Sequence, residues 1–317
     1  MNGSEEAFKV RLVKGVDPDH STVLHLALGA RPPGRTNRVD ATVTDLVADS
    51  RDRGLSLDLL FGAFHGSTCV SAALAIESPG RAALLNAPER GDGHGFHEAT
   101  TACLIALQHA AWDRSIILLE MLLPPDSQAL AEAVRASGLR YLTRLRYLRR
   151  ALDAAIPSNE RPNDVHWVSY TENQADLFVQ ALVRSYAQSL DCPELTGLRT
   201  MSDVFAGHRA AGAFDPALWS VAVRDAQPVA VLLLSRIARQ EAVEIVYMGV
   251  AQVSRGTGVA DAVMRRAVEA AGRLGAKTLA LAVDQRNTPA RKLYGRWGFV
   301  EFAARDAWIV TPPPIEG

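Results

Sequence analysis

Apolar residues form two kinds of pattern along the chain. Apolar runs at 61–78 and 219–237 each predict two strands joined by a tight turn. Alanine-rich stretches at 98–112 and 259–273 have apolar residues at helical spacing, and a glycine-bearing loop precedes each of them. Strands and helices thus alternate in both halves. The pattern predicts a mixed α/β fold with a mainly antiparallel sheet and flanking helices.

The same order of elements occurs twice. Strands predicted at 116–123 and 278–283 are each followed by a short helix and then by a Gly-apolar pair, at Gly138 and Gly298. These two glycines are 160 positions apart, and many matching elements show the same offset. A fixed offset of this kind indicates an internal duplication.

A polar, proline-bearing stretch at 156–164 lies between the two halves and predicts a linker. We therefore expect two domains, residues 1–155 and residues 165–317, which also suits the length of 317 residues. In the second half, Glu172–Leu190 and Met201–Arg209 show helical spacing as well.

The arginine-rich stretch 140–150 allows two interpretations. Its sequence, RYLTRLRYLRR, could form a basic amphipathic helix, or a strand with exposed arginines. The repeat aligns it with residues 302–310, whose pattern is typical of a strand, and this favours the strand.

Composition limits the classes of function. A hydrophobic content of 48%, a charged content of 22% and a net charge of −1 are ordinary for a soluble globular protein and argue against a general nucleic-acid binder. The longest apolar run, Ile116–Leu123, contains Glu120 and is far shorter than the roughly 20 residues of a membrane span. The first residues are acidic and lack the apolar core of a signal peptide. We expect a cytoplasmic protein that is not bound to a membrane.

Cysteines and histidines give no metal-binding pattern. The three cysteines are far apart and outside any CxxC pair, so we expect reduced, buried thiols at Cys69, Cys103 and Cys192. Two histidine pairs have helical or near-helical spacing but lack partners at ligand spacing, namely His20 with His25 and His94 with His97. We expect no metal site.

The loop Arg255-Gly256-Thr257-Gly258 lies where an apolar strand meets a helix. A helix N-terminus favours phosphate, and glycines allow close backbone approach, although a simple turn would also explain them. A Walker loop is excluded because Val259 and Ala260 follow Gly258. A dinucleotide fingerprint is excluded because Asp261 stands where its third glycine belongs.

A third motif fits. Residues 255–260 resemble the Arg/Gln-x-x-Gly-x-Gly/Ala pyrophosphate loop of the GNAT superfamily of acyl-CoA-dependent N-acyltransferases. About 25 residues on, LALAVDQRNTPARKLYGRWGF resembles the second signature of that superfamily, with Asn287 and Tyr294 in place. The resemblance covers roughly residues 165–310, and the duplicated layout is similar to tandem acyltransferases of the mycothiol synthase type. It implies two tandem GNAT-like domains, the second of them catalytic.

The resemblance implies acetyl-CoA as co-substrate. The pantetheine arm would insert between the strands Val243–Val250 and Thr278–Val283, which would splay apart. Backbone groups of β-strand and loop residues, with the Arg255 and Asn287 side chains, would hold the cofactor; the set is Met248, Gly249, Val250, Arg255, Gly256, Thr257, Gly258, Val259, Ala260 and Asn287. Asn287 could equally be a helix N-cap.

The resemblance also implies direct attack of an amine on the thioester, which needs an acid and a base. Tyr294 matches the usual acid, unless it is only a buried aromatic. Glu244 is the candidate base, because an apolar strand would raise its pKa by desolvation; a solvated glutamate at a strand edge is the alternative. Tyr247 and Trp219 could line the acceptor site or belong to the core. The acceptor would be a small-molecule or peptide amine. A non-catalytic acyl-CoA sensor is the rival function.

The first half departs from the GNAT pattern. Ser127 stands at the Asn287 position and Val134 at the Tyr294 position. The stretch Arg90–Gly95 matches the loop motif about five residues too early, and Asp92 within it would repel a phosphate. We expect that this half has lost catalysis.

Overall fold

The structure is a computed structural model that describes residues 8–29, 43–91, 95–154, 165–237 and 241–314. The predicted linker, Asp92 and His94 lie outside the described residues. The chain divides into two compact units. Unit 1 extends to Leu142 and takes in the residues from Arg305 onward, and unit 2 comprises Thr143–Ala304.

Unit 1 is a sheet with helices on both faces. Its elements are β1 (Lys9–Leu12), α1 (His20–Gly29), α2 (Val43–Asp52), β2 (Leu59–His65), β3 (Thr68–Ser78), β4 (Ala82–Asn86), α3 (Phe96–Asp113), β5 (Leu118–Leu123) and α4 (Gln128–Ala136). The first four strands pair antiparallel in order, β4 and β5 pair parallel, and Asp306–Val310 pairs antiparallel with β5. Alternate strand residues point to opposite faces. Leu59 and Ala73 therefore pack towards α3, while Leu60 and Leu74 pack towards α1.

Unit 2 repeats this plan. It contains most of β6 (Arg140–Ala151), then β7 (His166–Ser169), α5 (Ala175–Tyr186), α6 (Met201–Ala210), β8 (Trp219–Arg224), β9 (Gln227–Arg236), β10 (Ala242–Val250), α7 (Val259–Arg273), β11 (Thr278–Asp284), α8 (Thr288–Arg296) and the beginning of β12 (Val300–Val310). Strands β7 to β10 pair antiparallel in order, β10 and β11 start parallel, and β6 pairs antiparallel with β11. The α5 residues Phe178 and Leu182 and the α7 residues Val263 and Met264 are completely buried against this sheet.

The predicted duplication is confirmed element by element. Helices α4 and α8 are 160 positions apart, and each is followed by a glycine with positive φ, Gly138 at 94° and Gly298 at 77°. The mixed α/β fold with a mainly antiparallel sheet is also confirmed. The stretch 140–150 is a strand, as the repeat predicted. The sequence did not predict α1, α2 or β1.

The sequence repeats and the compact units have different boundaries. Most of β6 belongs to unit 2 although it ends the first repeat, and the end of β12 belongs to unit 1 although it ends the second. A linear pattern cannot show which sheet a terminal strand joins. The limits 1–155 and 165–317 therefore remain a proposal about the repeats.

Two further expectations concern burial. Cys103 is buried, whereas Cys69 and Cys192 are half-buried, so the prediction of three buried thiols is correct for one of them. Across the described residues, each helix is too short or too polar to cross a membrane.

Candidate active site

A cleft opens in unit 2 where two neighbouring strands part. Strands β10 and β11 pair over only three residue pairs, from Ala242 with Thr278 to Glu244 with Ala280. Beyond that point the strands diverge around a cleft of about 1180 Å³, lined by residues 245–250 on one side and 281–283 on the other. The predicted splay is therefore present.

A β-bulge marks the place where the strands part. The register between β10 and β9 shifts between Ile245 and Tyr247, so Val246 is the additional residue. A bulge bends its strand and increases the local twist. Because the bulge directly follows Glu244, it turns the rest of β10 away from β11 and leaves one edge of β10 facing the cleft.

The far end of the cleft is the N-terminus of α7. Gly256 and Gly258 both have left-handed backbone conformations, with φ of 77° and 91°. The N–H groups of Asp261 and Ala262 both bond to the Gly258 carbonyl, so Val259 and Ala260 supply the first N–H groups that lack a helical acceptor. Gly256, Gly258 and Ala260 line the cleft. This end of the cleft is thus suited to an anion.

Arg255 lies at this loop, but its side chain turns away from the helix N-terminus. Its guanidinium donates to the backbone carbonyls of Ser185, Ala187 and Gln188 at 2.7–3.0 Å, and its Nε donates to Val250 at 3.2 Å. Carbonyls at the end of a helix lack helical partners and carry partial negative charge. Arg255 therefore ties the end of α5 to the end of β10.

Gly249 allows α5 to approach the cleft edge of β10 closely. A Cβ at this position would lie 2.5 Å from Ser185 Oγ and 2.8 Å from the Tyr247 ring. The neighbouring residues Met248 and Val250 are half-buried and line the cleft. Tyr247 also lines it and exchanges a 2.9 Å hydrogen bond with Ser185, whereas Trp219 is only 1% exposed and belongs to the core. Of these two aromatics, only Tyr247 reaches the cleft.

Tyr294 is a buried side chain of α8 that lines the cleft. Its ring packs on Phe299 at a centroid distance of 5.7 Å. Burial raises the pKa of its phenol, and the negative charge of Asp191 adds to the effect. The phenol therefore stays protonated at neutral pH and is able to donate a proton.

Asn287 caps the start of α8. Its Oδ1 accepts a 3.3 Å hydrogen bond from the Ala290 N–H, and its side chain also bonds to Asp191. The alternative interpretation of Asn287 as an N-cap is confirmed. Asn287 lines the cleft as well, so its position is compatible with the predicted contact to pantetheine.

Glu244 lies where β10 and β11 are still paired. It is 7% exposed and opposes Ala280 on one side and Ser235 on the other. The alternative of a solvated glutamate is wrong, because the side chain is buried. The lining of the cleft begins with the next residue, Ile245. The structure thus brings Tyr294 and the glycine loop to the cleft and leaves Glu244 just behind its closed end.

Asp191 is a cleft residue that sequence reasoning missed. It lies on the loop after α5 and lines the cleft together with Tyr247 and Tyr294. The backbone N–H of Asp284 donates to its Oδ1 at 2.9 Å. Burial is the main cause that raises the pKa of this carboxyl, and the charge of Asp284 adds to it. Nothing in the local sequence distinguishes Asp191 from an ordinary loop residue.

Asp284 anchors the Asp191 loop. Its completely buried carboxylate accepts hydrogen bonds from the Thr143 hydroxyl at 2.7 Å and the Cys192 N–H at 3.1 Å. Arg286 donates to the same carboxylate and also to Glu194. Burial acts to raise the pKa of Asp284, but the bonds from Arg286 and Thr143 outweigh it and hold that pKa below its usual value. The loop is therefore fixed at both sides of Asp191.

The matching place in unit 1 is closed. Strands β4 and β5 pair over four residues, and the cavity beside Leu85 and Met121 measures only about 10 Å³. Val134 occupies the position of Tyr294 and is completely buried. A Cβ on Gly91 would lie 2.0 Å from the Phe96 ring, so this ring packs directly on the loop. Gly95 still begins α3 with a φ of 86°. The described residues of unit 1 thus keep the helix start without the cleft.

Residues 184–299 match the model described as the Acetyltransferase (GNAT) family. The similarity to this family therefore lies within the second half of the chain. The match runs from the end of α5 to Phe299 and includes the parted strands, the glycine loop and Tyr294. No curated protein matches this chain by sequence.

Solved structures show that both halves have the GNAT fold. A GCN5-related N-acetyltransferase from Sphaerobacter thermophilus aligns with a TM-score of 0.67 at 18% identity, over 98% of each chain. A tandem GNAT protein from the clavulanic acid biosynthesis pathway aligns with a TM-score of 0.59 at 14% identity, over 98% of this chain and 100% of that one. A GCN5-related glucosamine N-acetyltransferase region of a fungal multi-domain β-N-acetylglucosaminidase aligns with a TM-score of 0.62 at 15% identity, over 97% of this chain and 38% of that one. At these identities the likeness establishes the tandem GNAT fold and leaves the substrate open.

Proposed function

We propose that this chain is an N-acetyltransferase that transfers an acetyl group from acetyl-CoA to a primary amine of a small molecule or peptide. The observation that carries the proposal is the cleft between β10 and β11, which ends at the glycine-lined start of α7. A GNAT domain supports acyl transfer in general. The proposal goes further than acyl transfer in naming acetyl as the group transferred and a primary amine as the acceptor.

The cleft suits an elongated anionic thioester. Residues 245–250 of β10 pair with β9 on one side only, so their other edge offers backbone donors and acceptors to pantetheine amides. The amides of Gly256, Thr257, Gly258, Val259 and Ala260 are then the candidates for holding the diphosphate. A backbone N–H of β10 near Val250 would stabilise the developing oxyanion. The structure directs the Arg255 side chain to carbonyls, so we assign it the role of positioning this loop.

Tyr294 is the proposed acid. When the amine nitrogen bonds to the carbonyl carbon, the carbon–sulfur bond breaks and the thiolate needs a proton. A buried phenol with a raised pKa at the cleft wall remains protonated until that point. Glu244 remains a proposed base, but a proton from an amine in the cleft would have to pass the closed end of the cleft to reach it.

The experiment is a thiol-release assay on the full chain with acetyl-CoA and a panel of amines: cadaverine, tyramine and glucosamine. Amine-dependent release of CoA, with the acetylated amine seen by mass spectrometry, supports the proposal. Butyryl-CoA in parallel tests whether the acyl group is acetyl or longer. Binding of acetyl-CoA by calorimetry without turnover of any amine would instead indicate the rival sensor function.

A further inference from the structure

The loop between α5 and α6 carries a carboxylate that the cofactor-binding part of the site does not use. Asp191 lies in the cleft wall, across from the edge of β10 and beside the start of α8. It belongs to the segment 172–209 that precedes the GNAT motifs in the chain. Its position gives it access to whatever molecule enters the cleft beside the thioester.

The Asp191 carboxylate has hydrogen-bond donors but no ion pair among the described residues. Its partners are the Asp284 N–H at 2.9 Å and the Asn287 side chain. The guanidinium of Arg286, whose charge acts on Asp191, is already shared between Asp284 and Glu194. A desolvated carboxylate without a counter-charge is costly, and an incoming cation would remove that cost.

The surrounding loop holds this carboxylate in place before any substrate binds. The backbone N–H of Asp191 donates to Ser189 Oγ at 3.1 Å, and the next residue, Cys192, has a left-handed φ of 46°. Such a conformation in a residue other than glycine persists only where neighbouring contacts impose it. Here they are the Cys192 N–H bond to Asp284 and the Glu194–Arg286 pair. Strain of this kind clusters at functional sites.

We propose that Asp191 binds the ammonium group of the acceptor amine and accepts its proton. This inference rests on the proposed function. The ammonium gives one proton to Asp191, and the neutral nitrogen forms the new bond to the acetyl carbon. The carbon–sulfur bond breaks, and the thiolate takes a proton from Tyr294. The nitrogen then loses a second proton, which returns Tyr294 to its protonated form. Asp191 releases the first proton to solvent, so one proton is released for each amide formed.

The charges around Asp191 suit this task. Asp284 and the phenols of Tyr247 and Tyr294 face it, while Arg286 acts in the opposite direction from the end of β11. Burial and Asp284 raise the pKa of the Asp191 carboxyl above its usual value. A base works best with a pKa near the operating pH. The raised value brings Asp191 closer to that range than an exposed aspartate.

The test compares Asp191→Asn with wild type on the full chain, using the best amine among cadaverine, tyramine and glucosamine. We expect kcat/KM to fall by about 100-fold or more, which is a usual loss for a base. We expect KM for the amine to rise and the acidic limb of the kcat/KM pH profile to disappear. Asp191→Glu should restore part of the activity and the limb. Acetyl-CoA affinity by calorimetry should stay within about twofold of wild type, because Asp191 lies away from the diphosphate end.

Two further variants decide between outcomes. Asp176→Asn removes an exposed carboxylate on α5 that does not line the cleft and should leave all values unchanged. An Asp191→Asn protein that keeps both the acidic limb and the amine KM would overturn the inference. If the limb disappears only in Glu244→Gln, then Glu244 is the base and Asp191 is not. A wild-type protein that binds no acetyl-CoA, or acetylates no amine, would remove the proposed function and this inference with it.

Discussion

A backbone hydrogen bond joins Asp284 to the Asp191 carboxylate, and the pKa values of these two carboxyls shift in opposite directions. The Asp284 N–H donates to Asp191 at 2.9 Å, and the Cys192 N–H donates to Asp284 at 3.1 Å. Asp284 also has Arg286 as an ionic partner, whereas Asp191 has none among the described residues. The Asp284 carboxylate at the end of β11 is therefore fixed for structure, whereas the Asp191 carboxylate on the neighbouring loop is available to a ligand.

The opposite pKa shifts predict that Asp191→Asn and Asp284→Asn change the stability of the folded protein in opposite directions. The folded-state pKa of Asp191 is raised, so its ionised form destabilises the folded protein at pH values above that pKa. Asp191→Asn should raise Tm at neutral pH, and the gain should vanish as pH falls below the unfolded-state pKa. Thermal unfolding measured from about pH 3 to pH 8 checks this, because that range extends below the unfolded-state pKa. An equal gain at every pH would contradict it.

Asp284→Asn should act in the other direction. The folded-state pKa of Asp284 is lowered, so its contribution is present above the unfolded-state pKa and is lost as pH falls through the folded one. At neutral pH we expect a loss of about 2–4 kcal/mol, because Arg286 and Thr143 would lose a charged partner. The deficit should shrink in acid. Denaturant titrations at pH 7 and at about pH 2, well below the unfolded-state pKa, measure it, and a constant deficit would refute the argument.

Gly258→Asp tests the diphosphate end of the cleft. It should weaken CoA binding by more than about tenfold, because one charge-assisted contact is worth roughly 1.5–3 kcal/mol. A thermal-shift titration with CoA gives the affinity. Gly275→Asp is the control, since Gly275 also has a positive φ, 68°, but lies beyond the other end of α7. Unchanged CoA affinity in Gly258→Asp would exclude the phosphate loop.

Substitutions of Arg255 distinguish a positioning role of its side chain from direct binding of phosphate. Because its guanidinium bonds to four carbonyls, Arg255→Lys should lower Tm nearly as much as Arg255→Ala, with a loss of about 1–3 kcal/mol in the free energy of unfolding. Any fall in CoA affinity should then accompany the fall in Tm, because the substitution disturbs the loop without removing a direct contact to phosphate. If Arg255→Ala weakens CoA binding strongly while Tm stays at the wild-type value, the side chain binds phosphate directly.

Tyr294→Phe tests the acid. Turnover should fall by roughly 100-fold or more while acetyl-CoA affinity stays nearly intact, because the ring remains and only the proton donor is lost. Tyr170→Phe serves as control: its hydroxyl bonds to Glu172 at 3.0 Å, and Tyr170 does not line the cleft. Steady-state kinetics with the best amine measure both. Wild-type turnover in Tyr294→Phe would make this residue a core aromatic only.

The two units should bind CoA unequally. Strands β4 and β5 do not part over their four residue pairs, and the cavity beside them is about 10 Å³, so we expect one tight CoA per chain. Isothermal titration of the full chain gives the stoichiometry. Gly95→Asp in unit 1 should leave it unchanged, unlike Gly258→Asp at the equivalent helix start in unit 2. Two tight sites per chain would show that unit 1 still binds its cofactor.

The sequence by itself determined the duplication, the glycine loop and the order of elements apart from α1, α2 and β1. Each depends on local physics: apolar periodicity reports which face is buried, and Gly256 and Gly258 adopt positive φ that other residues rarely adopt. Asn287 and Tyr294 were identified through the resemblance to the second GNAT signature, and both lie on one short helix and its cap.

Tertiary structure alone decided how the site is completed. The bond between Asp284 and Asp191 joins residues 93 positions apart, and the bonds of Arg255 reach residues 67–70 positions away. The same holds for Glu244, whose side chain is buried behind the cleft rather than in its wall. Local patterns fix backbone conformation and the buried face, but the direction of a polar side chain depends on partners that folding brings from distant parts of the chain.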